Sequence, residues 1–276
     1  MENIKNRLAF SMLELIFVIV ILGIVSSIGS EVIAKVYESY IVQRGQHRAS
    51  IKTQLAINQI ANRLRYAIPG TITRKLTKTG GFEFLSEPMT LDTTGEGYTV
   101  LQWVAYDGDS FEAITSSATT GTARSPGWSG FCDLNGSTST SISTPASNFT
   151  LTNSIQSNLG GDGTFAIYFP YDQVAHYGTG SGANITLSSA VTRISERYKL
   201  AWTSYALVVE NGDLMLYYDF APTIGTDTVG SSSLLLKNVT NFKFTGRGQT
   251  TRIKLCAEAD IDTNETISSC KEKAVF

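Results

Sequence analysis

At 276 residues the chain has room for one large domain or two ordinary ones, and its 22 Lys+Arg against 24 Asp+Glu leave a formal net charge of −2. That balance excludes a wholly basic nucleic-acid binder and a disordered acidic chain. Hydrophobic residues at 42% supply a real core, while two histidines and three cysteines leave little material for a metal centre.

The hydrophobicity is concentrated at the amino end. Leu15 to Ser30 reads LIFVIVILGIVSSIGS without a charge. Counted from Phe10, a helix to Ser30 reaches about 32 Å, enough to cross a bilayer core. Lys5 and Arg7 precede it and hold that end in the cytoplasm, so the rest of the chain faces outward. A secretory signal peptide cut after Gly29 fits the same residues, as does a plain uncleaved anchor. Neither accounts for Glu14. A carboxylate in a spanning helix costs about 2.5–3.5 kcal/mol on insertion scales and calls for a partner, unless it snorkels to the headgroups.

The run Arg7-Leu-Ala9-Phe10-Ser-Met-Leu-Glu14-Leu15, continued by IFVIVILGI, resembles the N-terminal signature of type IV prepilins and type II secretion pseudopilins. The resemblance implies a leader, residues 1–9, cut between Ala9 and Phe10 by a prepilin peptidase that also N-methylates Phe10. Ala9 stands where that family usually has Gly. It further implies a single-pass inner-membrane protein with a cytoplasmic N terminus. Its partners would be other pilin or pseudopilin subunits, the inner-membrane assembly platform and membrane lipid. Glu14, fifth in the mature chain, would meet the amino terminus of a neighbouring subunit. An ion pair there offsets the desolvation of both charges.

Helical spacing continues over 31–68 through Val32, Ile33, Val36, Tyr40, Ile51, Leu55, Ile57, Ile60, Ala61 and Leu64. It should stop before Pro69-Gly70. Residues 10–30 are thus read as a membrane or filament-core helix, 31–68 as its amphipathic continuation, and 69–276 as a β-rich extracytoplasmic head. Strands are expected at Tyr98–Tyr106, Phe165–Phe169, Tyr205–Val209, Leu234–Phe244 and Arg252–Ala257. Asn211-Gly212 between apolar runs predicts a type I′ hairpin. The fold class is α+β, pilin-like by the resemblance, with an antiparallel sheet packed on the long helix. Between 115 and 160, 20 of 46 residues are Ser or Thr, which reads as a flexible surface insertion. A mature chain of about 267 residues (276 less the nine of the leader) is large for a repeating pilin and points, by resemblance, to a minor subunit.

An extracytoplasmic head permits disulfides. Pilins often close a C-terminal loop, which implies Cys256–Cys270; the sequence alone also allows Cys132 with either. Asp260-Ile-Asp262-Thr-Asn264 has the D-x-D-x-N spacing of an EF-hand opening, so calcium is a candidate ligand, although Glu265 replaces the turn glycine. A solvated acidic turn is the simpler reading. The segment Asp262-Thr-Asn264-Glu-Thr266 also resembles the acidic extended sequon of bacterial N-glycosylation. Arg247, Arg252 and Lys254 lie in a basic stretch that would meet phosphate, and DNA uptake is one task of pilus systems; a strand edge blunted by charge explains the same residues. No nucleophile elbow, phosphate loop or paired Cys-x-x-Cys is present, and His47 and His176 have no nearby nucleophile. The expectation is therefore a non-enzymatic assembly subunit without a resident cofactor. A displayed adhesin or DNA-binding module is the alternative, and a secreted enzyme the remote one.

Overall fold

The computed structural model describes residues 11–116, 124–170, 172–262 and 265–276. One helix, α1 (Met12–Leu64), precedes β1 (Thr73–Lys75), β2 (Phe82–Phe84) and β3 (Val100–Ala105). A short helix, α2 (Gly108–Glu112), leads to β4 (Ile114–Ser116), β5 (Arg124–Pro126), β6 (Ser141–Ser143) and the helix α3 (Phe149–Asn158). Next come β7 (Phe165–Tyr168), β8 (His176–Ser181), β9 (Asn184–Leu187) and β10 (Lys199–Ala201). The chain ends with β11 (Thr203–Glu210), β12 (Asp213–Phe220), β13 (Ser231–Leu236), β14 (Val239–Arg247), β15 (Thr250–Asp262) and β16 (Glu265–Val275). Two compact units divide it: residues up to 48 with 259–267, and residues 49–258 with 268–276. The class is α+β with antiparallel sheets.

Within the larger unit, six strands pair in the order β13-β12-β11-β3-β1-β2 and three in the order β14-β15-β16. Ala56, Ile57, Ile60, Ala61 and Leu64 of α1 share one core with Leu101 and Trp103 of β3, Leu207 of β11, Leu214 and Leu216 of β12, and Ile253 and Leu255 of β15. The helical stripe differs from the one expected. Ile51 and Leu55 are exposed, and Thr53 takes an inward position, donating to the Ala49 carbonyl oxygen at 2.8 Å. That bond lets a hydroxyl be buried at no cost in unmet polarity. The helix stops at Leu64, and Gly70 turns the chain at φ +80°.

Local turn chemistry sets the hairpins. Asn211 and Gly212 both have positive φ, 51° and 81°, the type I′ geometry, with Glu210 opposite Asp213. The stretch Leu234–Phe244 is two strands, not the single one expected. Asn238 takes φ 55° and sends β13 and β14 into different sheets; Asn accepts the left-handed region at lower cost than most residues. Between β1 and β2, Arg74 Nε donates to Glu83 Oε2 at 2.9 Å with both side chains buried. Tyr98 OH donates to the same oxygen at 2.6 Å, and the Thr90 and Leu91 N–H groups donate to Oε1 at 2.7 and 2.6 Å. Burial alone would raise the Glu83 pKa, but the bonds from Thr90, Tyr98, Arg74 and Leu91 outweigh it and hold it far below the usual carboxylate range. The buried Lys75 ammonium donates to the carbonyls of Lys78, Gly225 and Thr226 at 3.1, 3.3 and 2.8 Å.

The insertion is larger and more ordered than the composition of 115–160 implies. β3 and β11 are directly paired, Ala105 opposite Thr203, so residues 106–202 form an excursion between neighbouring strands. It carries a five-stranded sheet, β10-β7-β8-β9-β6. Trp128, Ile142, Phe149, Phe165, Ile167 and Ile185 make a second core, each at most 1% exposed. A few large anchors among many hydroxyls suffice, and α3 begins at Asn148, whose side chain accepts from Leu151 N–H. The expected flexible loop is thus, in its described part, folded; residues 117–123 of it lie outside the described residues.

Candidate assembly helix and basic sheet face

The amino-terminal part of α1 is apolar on every side. Each large apolar residue from Met12 to Val36 is 48–86% exposed. The helix is long and apolar enough to cross a membrane, with a mean hydropathy of 2.5 over its most apolar window. The chain therefore has one N-terminal candidate span among the described residues. A helix apolar all round needs lipid or other helices about it.

Its start is capped. Ser11 carbonyl oxygen accepts from Glu14 N–H at 3.0 Å and Leu15 N–H at 3.2 Å, and Ser11 Oγ accepts from Glu14 N–H at 3.3 Å. Ser11 is the N-cap and Glu14 the third helical residue, the spacing of a capping box. The Glu14 carboxylate sits in the first turn, where the helix dipole favours negative charge. It forms no ion pair among the described residues. The role of Ser11 was legible in the pattern Ser-x-x-Glu before an apolar run but was not drawn from it. Ala9 and Phe10, the expected cleavage pair, lie outside the described residues.

Arg247, Arg252 and Lys254 do come together. β14 and β15 join through Gly248-Gln249, with Gly248 at φ 62° and Arg247 opposite Thr250. Side chains alternate along a strand, so Arg247 shares the outer face with Arg252, which stands opposite Thr245, and with the directly opposed pair Lys243 and Lys254. The expectation missed two carboxylates on this face. Lys243 pairs with Glu96, and Arg252 Nε lies 3.1 Å from Glu272 Oε1. Glu96 is 147 residues from Lys243, a separation that no local pattern reveals. Arg247 and Lys254 remain without an ion pair among the described residues. Exposed pairs of this kind contribute at most about 1 kcal/mol.

Cys256 and Cys270 are bonded across the β15–β16 hairpin, and Cys132 is a buried free thiol in the second core. Burial pushes the Cys132 thiol up to about 12, so it stays protonated and unreactive at neutral pH. The D-x-D-x-N segment falls on this hairpin. Asp260 and Asp262 belong to β15, β16 resumes at Glu265, and Asn264 lies outside the described residues. Of the residues that a 12-residue loop starting at Asp260 would use, 260–262 and 265–271 belong to β15 and β16. Among the described residues no cluster of three His, Cys, Asp or Glu could hold a metal ion. His176 is on β8, with Nε2 2.7 Å from Asp172 Oδ2; His47 is exposed on α1.

No protein-family model, no curated protein and no solved structure matches this chain.

Proposed function

We propose that the chain is a non-enzymatic minor subunit of a type IV pilus or type II secretion pseudopilus. In this reading it is inserted in the inner membrane, processed between Ala9 and Phe10, and assembled through its N-terminal helix. One observation carries the reading. A helix with its large apolar residues exposed along 25 positions, Met12 to Val36, bears Glu14 at its capped start, the one carboxylate before Glu31, which pairs with Lys35. Lipid accommodates such a helix as a monomer, and a bundle of like helices accommodates it in a fibre. Glu14 then acts as the group that a neighbour's free amino terminus neutralises, which makes assembly rather than insertion the step that needs it. The disulfide across β15 and β16 agrees with an oxidising compartment for the larger unit.

The test is Glu14→Val. Membrane fractionation should show the variant inserted at the wild-type level, while its share in sheared or cross-linked assemblies falls. Undiminished incorporation would contradict the pairing role.

A second reading rests on the outer face of β14–β15, where Arg247 and Lys254 make no ion pair among the described residues. As a displayed nucleic-acid-binding module the chain would hold DNA with an affinity that falls steeply with salt. Absence of binding at low ionic strength ends that reading.

A further inference from the structure

Two cations stand together on the outer face of β10 and the residues just before it. Tyr198 and Leu200 lie in the second core, so the alternation of side chains along a strand sends Arg197 and Lys199 to the opposite face. Arg197 Cζ is 4.9 Å from the centroid of the Phe131 ring. Lys199 Nζ is 4.3 Å from that of Tyr106 and 5.8 Å from that of Phe111. All three separations lie within the cation–π range of about 6 Å. Phe131 is 49% and Phe111 40% exposed, and Arg197 is exposed beside them.

The rings hold these cations in place without neutralising them. Neither Arg197 nor Lys199 makes an ion pair among the described residues. Burial lowers the Lys199 pKa, and the charge of Arg197 lowers it further. Burial, Tyr66 and Glu112 raise the Tyr106 pKa, but Glu112 pairs with neither cation. Two like charges therefore sit side by side, pre-organised by aromatic contact, with their counter-charge still to be supplied. An arginine so placed keeps N–H groups to offer a carboxylate, which it binds in bidentate form.

The free edge of β10 is closed to a further strand. Tyr198 N–H donates to Gly130 O at 3.1 Å, Cys132 N–H to Glu196 O at 2.8 Å, and Asp107 N–H to Leu200 O at 2.7 Å. A partner must lie across the outer face and be recognised by side chains. Nucleic-acid bases stack on open ring faces, whereas Tyr106 already has Tyr66 at 5.2 Å and Phe111 has Trp128 at 4.7 Å. What is left open is charge. Residues two apart on a strand are separated by about 6.8 Å, the interval at which an extended peptide repeats side chains on one face. We propose that Arg197 and Lys199 form a docking surface for an extended acidic segment of a partner protein, with carboxylates at alternate positions. The surface belongs to the 106–202 excursion, on a different sheet from the basic face of β14–β15, and is independent of the assembly reading.

The experiment titrates the full chain, in a neutral detergent, into a short fluorescent peptide that alternates Glu with Thr. Binding is read by anisotropy at low ionic strength. The comparison probes are a peptide of the same composition with its Glu residues contiguous, a galacturonate oligomer and oligothymidylate. The alternating peptide should bind most tightly, and its affinity should fall as salt is added. Arg197→Ala with Lys199→Ala should weaken it about tenfold. Lys52→Ala with Lys237→Ala, exposed cations elsewhere, should leave it unchanged. Should the first pair not fold, Arg197→Gln alone must weaken binding about threefold. No binding at low ionic strength, or undiminished binding by the variants, overturns the surface. A loss as large in Lys52→Ala with Lys237→Ala reduces the binding to net charge and also overturns it. Equal affinity for the contiguous peptide overturns the alternate spacing. Tighter binding of the galacturonate oligomer or of oligothymidylate assigns the face to another polyanion and overturns the proposal.

Discussion

Ile24 and Ile60 stand on one helix, ten turns apart, and differ in what surrounds them. Ile24 is 56% exposed and every large apolar residue near it is exposed too, whereas Ile60 is fully buried beneath strands of two sheets. Composition does not produce the difference, since the amino-terminal half is the more apolar. The carboxy-terminal half buries a narrow stripe, including the hydroxyl of Thr53, because the chain itself supplies the other side of the contact. The amino-terminal half has no such cover among the described residues. Two carboxylates repeat the contrast. Glu83 is buried and bound by Arg74, Tyr98, Thr90 and Leu91, while Glu14 is exposed and makes no ion pair among the described residues. The first is a finished interaction and the second an open one.

The largest expected effect lies on the finished side. Glu83→Gln leaves the buried Arg74 guanidinium uncompensated and should cost about 3–5 kcal/mol in denaturant unfolding. Its pH signature has a definite sign. The folded pKa of Glu83 is depressed, so the stability it contributes is complete above the ordinary Glu value of about 4.3 and is lost as pH falls through the folded value. Wild-type unfolding free energy should therefore decline below about pH 4 more steeply than that of Glu83→Gln. Glu14→Gln should leave both the midpoint and the acid limb unchanged. A comparable loss at Glu14 would mean that the open carboxylate is engaged within the monomer.

Next comes the helix itself. Ile60→Ala should cost about 2–5 kcal/mol by leaving a cavity in the shared core. Reduction of Cys256–Cys270, which closes a loop of 14 residues, should cost about 3 kcal/mol and loosen the sheet that covers Ile60. The smallest effect is expected at Ile24→Ala, within about 0.5 kcal/mol in detergent. A loss at Ile24 close to that at Ile60 would erase the distinction between the two halves.

Much of this arrangement was legible in the sequence, for reasons that are local. The apolar run needed only hydropathy, the β11–β12 turn only Asn211-Gly212, and the helix end only Pro69-Gly70. The basic residues of β14 and β15 were visible, but their carboxylate partners were not, because Glu96 reaches Lys243 through the fold. The second core stayed hidden for two physical reasons. Its strands pair far from their sequence neighbours, as when Ser141 meets Thr186. The buried face of α3 is Phe149, Thr152 and Gln156, which carries too little hydropathy to show a helical period. Polar residues that turn inward look like surface until the partner helix is in place.

The central proposal is that the mature protein begins at a processed Phe10 and not at Met1. Mass spectrometry of the N-terminal peptide of the membrane-extracted native protein tests it most directly. The account predicts a peptide beginning with N-methylated Phe10. A peptide beginning at Met1, or at Ser30 after a conventional signal cut, would contradict it.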